Sequence, residues 1–79
     1  MTQNEWSTEI ENEETGEPIA DHDTVEHVLS MIDGVEFVEH GVFAGNALVH
    51  LTKDLEEQLE EVGYLTRNYG PYLVTVELS

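Results

Sequence analysis

Asp21-His22-Asp23 is the stretch of this chain whose residue types come closest to a chemical site. An imidazole between two carboxylates can hold a divalent ion such as zinc or nickel, with His27 one helical turn further on as a further ligand. Helix geometry opposes that pairing, because residues five apart diverge around the axis. The same residues also read as an acidic helix cap beside a solvent-exposed histidine, and this is the preferred reading. A metal loop at Asp21, His22 and Asp23 is the alternative. His40 falls on the side of its strand expected to face the helices, where a partly buried, hydrogen-bonded histidine is commoner than a ligand. His50 falls on the opposite face.

Catalytic chemistry finds less support. There is no cysteine, and no Ser or Lys has an activating base close in sequence. Phosphate-binding loops, dinucleotide fingerprints and zinc-protease motifs are absent. No catalytic residue, no cofactor and no enzymatic activity are expected. A second candidate is aromatic: Tyr64, Tyr69 and Tyr72 gather around Arg67 beside Gly70-Pro71. Aromatic side chains and Arg are enriched at interface hot spots, so this loop is a candidate partner site. Tyrosines that merely close one end of the core are the plainer reading.

These residues must be held by elements that the periodicity marks. Trp6, Thr8 and Ile10 alternate with polar neighbours, which predicts a half-buried strand after a frayed stretch at residues 1 to 5. Residues 12–20 are a polar connection. Asp21 or Asp23 caps a helix whose Val25, Val28, Leu29 and Ile32 share one face, with Gly34 as its stop. A strand from Val35 is expected to put Val38, His40 and Val42 on one face and Phe37 and Glu39 on the other. A turn at Ala44-Gly45-Asn46 leads to a strand in which Ala47, Val49 and Leu51 alternate with Leu48 and His50. Thr52 or Asp54 caps a second helix with Leu55, Leu59 and Val62 inward and Gly63 at its end. Tyr72, Val74, Val76 and Leu78 then mark a last strand, and Tyr64 to Thr66 can add one more short extended piece before it.

The order βαββαβ predicts a ferredoxin-like α+β domain over residues 1–79, a four-stranded antiparallel sheet with two helices on one face.

Charge is the strongest compositional signal. Eighteen acidic residues stand against Lys53 and Arg67, a net charge of −16. Such a body repels itself in dilute buffer, and molar salt shortens the screening length to about 3 Å. Scattered acids with almost no lysine resemble the surface of a cytoplasmic protein from an extreme halophile. Nucleic acid is excluded as a partner for want of clustered Lys and Arg. No apolar run is long enough to cross a membrane as a helix, so a cytoplasmic location and no membrane partner are expected.

Residues 25–49 resemble the heavy-metal-associated domain of copper chaperones and metal-transporting ATPases. The similarity runs through Val25-Glu26, Leu29, Ile32, Gly34-Val35, Val38 and Ala47 to Val49, and then Leu59 to Tyr64. The resemblance implies the ferredoxin-like fold. Its paired cysteines would fall on Pro18 and Asp21, so the thiolates that select Cu(I) are missing and copper transfer does not carry over. What remains is a non-catalytic interaction module. Its expected partner surface is the sheet face away from the helices, at Phe37, Leu48, His50 and Leu73, open to a second copy or another protein.

Overall fold

The structure, a computed structural model, describes residues 5–78, so the fraying expected of residues 1–4 lies outside the described part. The elements in chain order are β1 (Trp6–Asn12), α1 (His22–Ser30), β2 (Val35–His40), β3 (Asn46–Leu51), α2 (Lys53–Val62), β4 (Tyr64–Tyr69) and β5 (Tyr72–Leu78). The strands form one antiparallel sheet in the order β2-β3-β1-β5-β4. This is an α+β fold, roughly ferredoxin-like, with five strands where four were expected. The extra strand is β4, which extends the short piece anticipated at residues 64–66 and turns back through Gly70-Pro71 into β5.

Alternation in β1 does what its spacing implies. Trp6, Thr8 and Ile10 are buried, and on the same face lie Ala47, Val49 and Leu51 of β3 and Val74 and Val76 of β5. Thr8 is the buried polar residue of this core, and its hydroxyl donates to the Ala47 carbonyl at 3.1 Å. Val25, Val28, Leu29 and Ile32 from the α1 side and Leu59 of α2 join the same cluster, so both helices cover one face of the sheet.

Asp21 caps α1, accepting from the Asp23 N–H. Gly34 is not the stop. The helix ends at Ser30 with Met31 still in right-handed conformation, and Gly34 lies in the turn into β2. A Cβ there would stand 3.0 Å from Leu55 Cδ2, so close approach to α2 is a reason for glycine. Thr52 caps α2, and Gly63 ends it in the left-handed conformation, φ 90°. Val62, expected to face inward, is exposed.

The path of α2 follows from register. β3 ends at Leu51, two residues past the Val49 that pairs with Trp6, and β4 begins at Tyr64 opposite Glu77, which pairs with Ser7. Both ends of α2 therefore lie at the same end of the sheet, three strands apart. Three spacings of ~4.8 Å match the ~15 Å length of a ten-residue helix, so α2 runs across the strands rather than along them. Its first turn is tied to β1, where Trp6 Nε1 donates to Glu56 Oε2 at 3.0 Å.

β2 departs from its expected alternation. Val35 faces Leu51 and Phe37 faces Val49, but a bulge at Val38 shifts the register, so Glu39 faces Leu48 and His40 faces Ala47. Phe37 and His40 thus share the helix-covered face, and their rings lie 4.8 Å apart. Phe37 is withdrawn from the open face. Val38 sits exposed in the bulge, and Val42, expected in the strand, is 93% exposed in the turn beyond it.

Candidate functional site

The face of the sheet away from the helices can be laid out strand by strand. Its residues are Glu36 and Glu39 on β2, Asn46, Leu48 and His50 on β3, and Ser7, Glu9 and Glu11 on β1. Leu73, Thr75 and Glu77 follow on β5, and Tyr64, Thr66 and Asn68 on β4. Leu48, His50 and Leu73 stand where the sequence puts them, each partly exposed. They do not form one patch. Leu48 faces Ser7 and Leu73 faces Glu11, which separates the two leucines by roughly 16 Å on ordinary sheet spacings, with Glu9 between them.

Acidic side chains divide this face in two. Glu36, Glu39, Glu9 and Glu11 occupy the β2, β3 and β1 side, while the β5–β4 ribbon carries Glu77 as its one acid. Residues 62–76 contain no Asp or Glu in a chain with 18. The ribbon also holds the aromatic candidates, which prove to be strand residues rather than a loop. Tyr69 and Tyr72 face each other across the turn, Arg67 lies opposite Val74, and Tyr64 sits at the far end of β4, exposed on the open face. Val62, Tyr64 and Leu78 expose apolar surface at that end.

Backbone groups on β4 can be assigned by direction. Tyr69 and Tyr72 flank a two-residue turn, so they exchange both of their hydrogen bonds with each other. Alternation then aims the N–H and C=O groups of Leu65, Arg67 and Tyr69 at β5, and those of Tyr64, Thr66 and Asn68 outward.

The histidine candidates form a different constellation. His22, at the start of α1, stacks on His40 at the end of β2, with ring centroids 3.8 Å apart and planes 14° from parallel. Glu26 Oε1 lies 3.7 Å from His40 Nε2. His27 is exposed on α1, and Asp23 is likewise exposed. A metal lies in the plane of each imidazole that binds it, and near-parallel stacked planes do not meet at bonding distance. Asp21 is already engaged as a cap: Oδ2 accepts from the Thr24 hydroxyl at 2.6 Å and Oδ1 from the Asp23 N–H at 3.3 Å. The Thr24 hydrogen bond, above all, lowers the Asp21 pKa from its ordinary value of 3.8. Among the described residues, no three His, Asp or Glu side chains converge as metal ligands.

A surface hollow lies between Ile10, Pro18, Phe43 and Ala44, with Phe43 largely exposed at its rim. No buried side-chain N or O among the described residues lacks a hydrogen-bond partner.

No protein-family model, no curated protein and no solved structure matches the chain.

Proposed function

We propose that this domain is a non-catalytic interaction module in a cytoplasm of high salt, binding a protein through the β5–β4 side of its open sheet face. The observation that carries this reading is the acid-free ribbon of residues 62–76, laid at the sheet margin of a body with net charge −16. An acidic protein meets another acidic protein with least repulsion where its own carboxylates are absent. Leu73, Tyr64, Thr66, Thr75 and Asn68 supply a mixed apolar and hydrogen-bonding surface there. Leu48 and His50 belong to its acidic flank.

The likeness to the heavy-metal-associated domain supports the fold side of this proposal through core positions such as Val25, Leu29, Ala47 and Val49. In that comparison the cysteine positions are Pro18 and Asp21, and Asp21 serves as the cap of α1. A divalent-metal function for Asp21, His22 and Asp23 has less behind it, since the Asp21 carboxylate is engaged as the helix cap and no three ligands converge among the described residues.

Two measurements separate these functions. A photoreactive side chain placed at Leu73 should give protein adducts in cells, whereas one at Glu57 on the outer side of α2 should not. Equal adducts at both positions, or none, would remove the interaction reading. Zinc calorimetry should show weak binding that His22→Ala leaves unchanged; submicromolar, stoichiometric binding lost in that variant would establish the metal function instead.

A further inference from the structure

We infer that the occupant of the β4 edge is the β4 edge of a second copy, joined antiparallel about a two-fold axis at Thr66. The inference rests on the reading of the domain as an interaction module and names its partner. β4 is a regular, unbulged outer strand whose outward donors and acceptors belong to Tyr64, Thr66 and Asn68. Pairing Thr66 with Thr66 of the second copy sets Tyr64 against Asn68 in both directions. Every outward N–H and C=O of the strand is then used, and neighbouring registers leave some of them unpaired.

Side chains fit that register. Thr66 meets its own copy on the open face, a favourable cross-strand pair, and Leu65 meets Arg67 on the other face, so the two arginines do not oppose each other. Charge selects the occupant. A second copy offered by β4 brings another strand without a carboxylate, whereas almost any other part of a copy brings glutamates. A basic partner would find no carboxylate along β4 to recognise. Antiparallel pairing also places the two α2 helices at opposite ends of the joint, keeping Glu60 and Glu61 away from their counterparts.

Sedimentation equilibrium in molar KCl tests this on the whole chain. The native chain should dimerise, and Thr66→Pro, which deletes an outward N–H while sparing the bonds to β5, should raise the dissociation constant by about tenfold or more. Thr66→Asp keeps the N–H and places two like charges face to face, and should weaken the dimer in the same way with the circular dichroism unchanged. Thr66→Cys, the sole cysteine in that variant, should oxidise to a covalent dimer, since facing Cα atoms in such a pair lie about 5.5 Å apart. A native chain that stays monomeric at millimolar concentration would overturn the second-copy inference, while adducts at Leu73 would keep the module reading standing. A dimer that yields to Leu73→Asp but not to either folded Thr66 variant would overturn it as well.

Discussion

The two outer strands of the sheet solve the same problem in opposite ways. β2 carries Glu36 and Glu39 on its open face and a bulge at Val38, two recognised ways of preventing an edge from templating another strand. β4 has neither device and holds no acidic residue. In a chain with 18 carboxylates, sparing one edge leaves that edge available for pairing. The same asymmetry runs inward, with acids on the β2, β3 and β1 half of the open face and polar or apolar side chains on the β5–β4 half. On the proposed pairing β2 is the protected edge and β4 the pairing edge, with Arg67 as its one charged side chain.

The largest test of that contrast is salt. Moving from molar KCl to dilute buffer should lower the unfolding midpoint by roughly 10 °C, equivalent to about 2 kcal/mol in a domain of this size. Amide exchange should show β2 losing protection before β5, because repulsion is concentrated on its side. Equal midpoints in both buffers would show that the carboxylates do not govern stability. Trp6→Phe comes next, at about 1–2 kcal/mol, since it removes the indole N–H that Glu56 accepts and some of the core volume. That bond anchors the helix leading to β4, so exchange in 64–69 should quicken more than in 35–40; a uniform change would mean that Trp6 acts on the core alone. Removing Val38 should alter stability by less than about 1 kcal/mol but straighten β2 into regular pairing. Sedimentation should then reveal species larger than those of the native chain, and their absence would assign the protection of β2 to its glutamates rather than its bulge.

The smallest effect concerns Asp21, whose pKa is lowered chiefly by the Thr24 hydroxyl. A carboxylate depressed in the folded state stabilises it above the unfolded value of 3.8 and loses that contribution as pH falls through the lower, folded value. Thr24→Val should therefore return the Asp21 titration, followed by carboxylate NMR, towards the ordinary value and flatten the acid loss of α1 signal between about pH 5 and pH 2. An unchanged titration would assign the shift to the backbone amides.

How much of this was legible in the sequence depends on burial. Trp6, Thr8 and Ile10 in β1 and Val74 and Val76 in β5 have one face in the core, so alternation reads directly. Thr52 and Gly63 mark α2 because caps are local chemistry. β4 hides its period: Tyr64, Thr66 and Asn68 alternate with Leu65, Arg67 and Tyr69, and an edge strand lets an arginine occupy what would be an inward position. The bulge is equally silent, since Val38 suits either face, and with it went the correct side for Phe37. The spacing from Phe37 to His40 is odd, which is the one local hint of the shift. The stack of His22 on His40 depends on how α1 meets the end of β2, and short-range pattern does not specify it.

The central neighbours β1 and β5 carry a kinetic consequence. Trp6 pairs with Leu78, so the middle of the sheet joins the first described strand to the last. The β2–β3 hairpin and α1 can assemble from nearby segments, whereas the second side of β1 is covered only by β5. Such long-range closure raises the contact order, so folding should be slower than for a domain of the same size built from local pairings. During synthesis β1 has one side unpaired until β5 is made, and an early stop before β5 would leave its Trp6–Ile10 stripe open to another partner.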